Sequence, residues 1–149
     1  MNKMQHKHGK TAFDFIPDTY IIPDEFSEFF NHFQKLKQKD SKRNLWIVKP
    51  NNLSRGRGIY LVEDPSEVNI EEPSVISKYI SNPLLINGHK FDLRIYVLVT
   101  SFDPLRIYVY KEGLARFATQ EYVQQKGTKE NKFVHLTNYS INKKSANYV

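Results

Sequence analysis

Residues 90–110 read KFDLRIYVLVTSFDPLRIYVY, and this run decides the architecture. Its apolar and polar side chains alternate with a period of two, which is the signature of a strand. Phe91, Leu93, Ile95, Val97 and Val99 fall on one face, and Asp92, Arg94, Tyr96 and Thr100 on the other. Residues 101–104 carry turn chemistry. Leu105, Ile107 and Val109 then alternate with Arg106, Tyr108 and Tyr110. A strand over 90–100 should therefore fold back on its successor as an antiparallel hairpin. Gly113 is expected to break the pattern before LARFAT (114–119).

Outward from this hairpin the chain stays rich in strands. Residues 45–48, 59–62 and 74–80 are short apolar runs that read as buried strands. The first two flank KPNNLSRGRG (49–58), a glycine loop that would form a hairpin tip. Pro17 and Pro23 bracket an extended stretch, and a helix should follow. Pro23, Asp24 and Glu25 suit its first turn, and Phe26, Phe29, Phe30, Phe33 and Leu36 form its apolar stripe. His32 falls on the polar side of that helix. Residues 1–10 read as a frayed or truncated element, 39–44 and 124–132 as polar loops, and 135–149 as polar with no strong period. Strands with one good helix predict an α+β fold with a mostly antiparallel sheet.

A chain of 149 residues, 40% hydrophobic, can bury a core and suits one domain. No apolar run is long enough for a membrane-spanning helix, and mean hydropathy is −0.58. The N-terminus is basic with no apolar stretch behind it, unlike a secretory signal. Cysteine is absent, which removes disulfide and thiolate chemistry. The net charge of +6 points to an anionic partner without choosing among nucleic acid, acidic peptide, nucleotide and anionic membrane.

Four groups of residues could carry chemistry. Lys49, at a strand end, and the loop Ser54–Arg55–Gly56–Arg57–Gly58 could clamp a phosphate through basic side chains and closely approaching backbone. The loop lacks GxxxxGK[ST] and the third glycine of a dinucleotide fingerprint, and taken alone it is an ordinary surface turn. Asp92 and Arg94 are two apart on one strand face, roughly 7 Å from each other, with Lys90 beside them. A solvated face with a weak ion pair is the competing reading. Arg116, among apolar neighbours, could snorkel or pair with a ligand carboxylate. Thr137, Asn138, Tyr139 and Ser140 form a hydroxyl- and amide-bearing turn. The five histidines have no metal-ligand spacing, and no catalytic triad is supported.

The ordered set of motifs says more than any one of them. WIVKPNNLSRGRGIYLV (46–62), the run from SKYI through KFDLR to LARFAT (77–119), and HLTNYSINKK (135–144) closely resemble the tubulin tyrosine ligase-like family, from about Phe13 to Val149. The details are similar to its glutamylating members, not to the tyrosine ligase itself or the glycylating ones. The resemblance implies an ATP-grasp fold, with ATP between two α+β lobes. It implies that ATP phosphorylates a carboxylate of tubulin or another acidic protein, and that the amine of free glutamate attacks the acyl phosphate. It puts Lys49, Arg55 and Gly56 on the ATP phosphates. Ser77, Lys78, Tyr79 and Ile80 would flank the adenine. Lys90, Phe91 and Asp92 would continue the nucleotide site, Asp92 toward the ribose, and Thr137 and Asn138 would touch the nucleotide from the far side. Arg94 becomes the cation near the transferred phosphoryl. Arg116 would hold the glutamate carboxylate, with Tyr139 or Ser140 beside it. Ser77 departs from the glutamine of many members.

The family's magnesium ligands lie downstream of Val149, so no metal residue is assigned here. Residues 1–149 are expected to be one partial ATP-grasp domain, truncated at both ends, that binds ATP weakly and does not turn over. Glutamate ligation by the 149-residue chain would refute this. The implied setting is cytoplasmic and cytoskeletal, with cilium or basal body as candidates. An inert nucleotide- or microtubule-binding relative is the alternative. A nucleic-acid-binding domain fits the charge but lacks an RNA-recognition signature, and a membrane partner is not expected.

Overall fold

The computed structural model describes residues 2–9, 11–39, 44–123 and 128–148. Parts of two expected loops, 40–43 and 124–127, lie outside the described residues, as do Met1, Lys10 and Val149. The chain divides into two compact units, Met1–Asn82 and Pro83–Val149. Both carry antiparallel sheets with few helices, so the fold is α+β and consistent with part of an ATP-grasp fold. No described helix is long and apolar enough to cross a membrane.

In the first unit, strands β1 (Thr19–Ile22), β2 (Trp46–Pro50), β3 (Tyr60–Val62) and β4 (Ser74–Lys78) form a sheet of order β1-β4-β2-β3. Three of the expected strands shift their ends by one or two residues. The extended stretch between Pro17 and Pro23 is β1. β2 is a central strand, so its side chains are buried on both faces apart from Lys49. Helix α2 (Phe26–Lys39) packs on this sheet. Its stripe centres on Phe29 and Phe33, which join Ile22, Trp46, Val48, Val62, Val68 and Ile76 in one core. Phe30, expected in the stripe, is exposed. α2 begins later than the acidic residues suggested. Glu25 instead closes the preceding turn, where its amide donates to Ile21 O at 2.7 Å and its carboxylate accepts from Ile21 N at 2.7 Å. His32 is not simply on a polar face: its ring packs edge-on against Trp46 and meets the Tyr20 hydroxyl at 2.7 Å. Residues 2–8, expected to fray, form helix α1 (Asn2–His8).

In the second unit, β5 (Leu85–Ile86), β6 (His89–Phe102) and β7 (Leu105–Glu121) form a sheet in that order. The expected hairpin is present, with Val97 opposite Val109 and Val99 opposite Ile107. It is longer than the sequence suggested, because β7 runs through Gly113 to Glu121. Gly113 does not end the strand; it lets the strand pass. A Cβ there would lie 2.8 Å from the Arg94 carbonyl oxygen. Alanine at this position must push β6 away beside Arg94, and Gly113→Ala is expected to cost about 2 kcal/mol. A denaturant midpoint equal to wild type would refute that contact. Short helices α3 (Lys132–His135) and α4 (Tyr139–Asn142) pack on β7, where Ala118, Val134 and Leu136 are buried. These turns replace the aperiodic tail that the sequence suggested.

Candidate active site

Seven of the expected site residues lie in the first unit. Lys49 is the exposed side chain of an otherwise buried β2, which aims it away from the core by strand alternation. In the loop after it, Arg55, Gly56 and Gly58 all have positive φ, near 60°, 80° and 68°. A Cβ on Gly58 would meet Leu53 Cδ1 at 2.6 Å, which the exposed leucine could yield, so glycine is favoured here by the positive φ. The Arg57 amide closes the turn on Ser54 O at 3.2 Å. Ser77 is buried, and its hydroxyl accepts from Thr19 Oγ1 at 3.1 Å. Lys78 donates to Asn44 Oδ1 at 2.7 Å and lies 5.2 Å over the Trp46 ring. β4 stops at Lys78, short of the expected end at residue 80. The Lys78 and Tyr79 amides nonetheless extend the sheet, to Asp18 O and Leu45 O. Tyr79 is buried and Ile80 exposed.

The other nine lie in the second unit, where Arg116 and Thr137 bond the Asp92 carboxylate and Arg94 acts on it by charge. Asp92 and Arg116 are cross-strand partners. Arg116 donates from Nε to Asp92 Oδ1 at 2.7 Å and from Nη2 to Oδ2 at 2.6 Å, a two-pronged pair. Thr137 donates its hydroxyl to Oδ2 at 2.7 Å. Asp92 therefore pairs across the hairpin, not along its own strand as i, i+2 spacing had suggested. Burial pushes the Asp92 carboxyl upward. The bonds from Arg116 and Thr137, with the charges of Arg116 and Arg94, outweigh that and hold it below the usual carboxylate range. Asp92 raises the Arg116 guanidinium in turn. Arg94 is exposed. Lys90 turns to the tail and donates to His135 O at 2.9 Å. Asn138 caps α4 through its backbone, with no side-chain cap bond. Phe91 packs on Phe117, 5.8 Å between ring centres. Tyr139 is exposed and stacks edge-on with Tyr148, while Ser140 is half-buried.

Two residues escaped the sequence reading. Asn142 is 1% exposed, and its amide bonds to β7 and to the 136–138 backbone. Only its place in HLTNYSINKK marked it. His135 is buried, bonded through Nε2 to Thr128 O at 2.9 Å. Burial depresses its pKa, and the nearby Lys90 adds to this, against a rise from the Thr128 bond. Both folded and unfolded chains hold this ring neutral above the ordinary imidazole value of about 6.5. Below it the unfolded chain takes up the proton first, so stability should fall as pH drops from about 6.5 toward the lower folded value. Thermal midpoints from pH 7.5 to 5 should show this decline, flattened in His135→Gln; an equal slope in both would refute it.

The arrangement can bind anions. Its charged groups are one partnered carboxylate with cations on both sides, and a separate lysine beside a glycine turn. Among the described residues, no group of three or more His, Asp or Glu side chains could hold a metal ion.

The tubulin-tyrosine ligase family model matches residues 1–149. The chain is 54% identical over 147 residues to tubulin polyglutamylase TTLL5 of Mus musculus, covering 99% of this chain and 11% of that protein. It is 44% identical over 149 residues to probable tubulin polyglutamylase TTLL2 of Homo sapiens, and over 151 residues to tubulin monoglutamylase TTLL4 of Homo sapiens. The chain spans 25% and 12% of those two proteins. With the KFDLR, LARFAT and HLTN segments meeting around one carboxylate and a family match over its whole length, the chain belongs to the tubulin-tyrosine ligase family.

Proposed function

We propose that this chain is part of an ATP-dependent ligase that joins glutamate to a glutamate side chain of tubulin or another acidic protein. The carrying observation is the Asp92–Arg116–Thr137 cluster with Arg94 on its strand face, in a chain whose relatives are named tubulin polyglutamylases and monoglutamylases. ATP transfers its γ-phosphoryl to the acceptor carboxylate and leaves as ADP. The glutamate amine then attacks the acyl carbon, forms the amide and expels phosphate. Such a reaction needs little from the protein beyond alignment and cations near the moving charge.

The residues present suit ATP as a ligand. Lys49, Arg55 and Gly56 meet its phosphates; a glycine turn with positive φ lets backbone approach oxygens closely. Ser77, Lys78, Tyr79 and Ile80 flank the adenine. The amides of Lys78 and Tyr79 are engaged in the sheet, with Asp18 O and Leu45 O. Lys90, Phe91, Thr137 and Asn138 continue the nucleotide contacts. An ionised carboxylate accepts about four hydrogen bonds, and Asp92 uses three, so one remains for a ribose hydroxyl. Arg94 faces the transferred phosphoryl. Arg116 holds the glutamate carboxylate, with Tyr139 and Ser140 beside it. Magnesium accompanies ATP in such reactions; among the described residues no group of three or more His, Asp or Glu side chains could hold a metal ion, and no step is assigned to it.

Both units belong to one ATP-grasp module in this reading. The +6 charge favours an acidic tail as acceptor, with association that slows as salt rises. The setting is the cytoplasmic cytoskeleton. ATP binding to the chain, followed by calorimetry, tests the nucleotide assignment. Lys49→Ala should weaken binding at least about tenfold by removing a charged hydrogen bond to phosphate. Equal affinity would remove Lys49 from the site.

A further inference from the structure

The cluster around Asp92 is held from behind by a residue that touches none of its charged groups. Asn142 uses every hydrogen-bonding group of its side chain. Its Oδ1 accepts from the Thr119 amide at 2.9 Å and the Thr119 hydroxyl at 3.0 Å. Its Nδ2 donates to Leu136 O at 2.8 Å and Asn138 O at 3.1 Å. Thr119 lies on β7, the strand that carries Arg116. Leu136 and Asn138 flank Thr137, whose hydroxyl reaches Asp92, and Asp92 takes two donors of Arg116.

The bonds close a ring. It runs from β7 through Arg116 to Asp92, on to Thr137 and its backbone, and back through Asn142 to β7. A long guanidinium side chain ordinarily samples many rotamers. Here Nε and Nη2 are both committed to a carboxylate that is itself braced by Thr137. Neither bond uses Nη1, which is left to meet a second anion.

We infer that Asn142 is a positioning residue for Arg116. Its amide sets the 136–138 backbone against β7, so that Thr137 braces Asp92 and Asp92 orients the guanidinium toward a carboxylate ligand. This rests on the reading of Arg116 as the holder of the glutamate carboxylate.

Two measurements test it. In the full-length enzyme, Asn142→Ala should raise the KM for glutamate about tenfold with kcat changed by less than about threefold, because binding common to ground and transition states is lost. Asn142 is fully buried and the variant can fail to fold, so Thr137→Val serves as a second route. It keeps the shape, removes the hydroxyl and should raise the KM for glutamate, read at saturating ATP because Thr137 also contacts the nucleotide, while Thr137→Ser restores it. A purely structural role would lower the thermal midpoint and leave KM unchanged. The second measurement is proton exchange at Arg116 Nε in the isotope-labelled chain. It should be slow in wild type and at least about tenfold faster in Asn142→Ala and Thr137→Val. Exchange unchanged in both variants overturns the inference. If Arg116→Ala leaves the KM for glutamate unchanged, the reading of Arg116 falls instead, and the exchange rates still decide whether Asn142 positions it.

Discussion

Asp92→Ala is expected to lower kcat/KM for glutamate ligation by about 100-fold or more in the full-length enzyme, with little loss of stability. Removal of one preorganised group facing developing charge typically costs two to three orders of magnitude. Here one substitution affects several groups. Arg116 loses both of its bonds to Asp92, and Thr137 loses its acceptor. Arg94 and Arg116 are then left as like charges on one face. The stability cost should stay near or below about 1 kcal/mol, because the pair is partly open to solvent and exposed ion pairs are worth little. Asp92→Asn keeps the shape but turns an NH2 toward the Arg116 donors, so it should fail nearly as badly.

The effect should not vary across the neutral range. The folded carboxyl lies below its ordinary value of about 3.9. Its contribution to stability is present above that value and is lost only as pH falls through the folded value. Activity and denaturation midpoints measured side by side from pH 6 to 8 decide the matter. Activity within tenfold of wild type, or a loss matched by unfolding, would show that the cluster is only a structural clasp.

Trp46→Ala should unfold much of the first unit at moderate temperature. The indole is 0% exposed and packs edge-on against Phe29 at 5.0 Å and near Tyr20 at 6.0 Å. Its Nε1 donates to Asn44 Oδ1 at 2.8 Å, and that oxygen also takes the Lys78 ammonium. Truncating a buried tryptophan costs about 4 kcal/mol. For a unit of this size, that is a fall of roughly 20 °C in thermal midpoint. Trp46→Phe restores most of the packing but not the donor, so it should cost about 1–2 kcal/mol. A Trp46→Ala loss below about 1 kcal/mol would show that the core is not organised around this ring. Because Lys78 lies over the same ring, Trp46→Ala removes one of the two contacts that hold its side chain, the bond to Asn44 Oδ1 being the other, and under the proposed adenine assignment ATP affinity should drop even at temperatures where the variant remains folded.

Much of the architecture was legible because strand and helix periods are local. The alternation at 91–99 and 105–109 located the β6–β7 hairpin, and Phe29 and Phe33 in the stripe of α2 are core residues. The misreadings came where a local sign met a tertiary partner. Gly113 looked like a stop because glycine commonly ends strands, but its meaning lies in the Arg94 carbonyl across the hairpin. Glu25 looked like a helix charge and is a turn acceptor. The faces of the hairpin were expected to divide into apolar and polar, yet Leu98 stands opposite Tyr108, and side chains on both faces are exposed.

The site divides in the same way. The sequence by itself determined which residue types were available: a lysine next to a glycine turn, alternating charges on a strand, and three ordered motifs that mark the family. Those are properties of composition, spacing and order. Only the tertiary structure decided who partners whom. Asp92 belongs to Arg116, which is 24 positions away, and to Thr137, which is 45 away. Asn142 acquires a task only because the chain returns to Thr119. Periodicity reports the face on which a side chain emerges. Hydrogen bonds over such separations depend on strand register and on where the tail packs, and both are set when burial of Ala118, Val134 and Leu136 fixes the tail against β7.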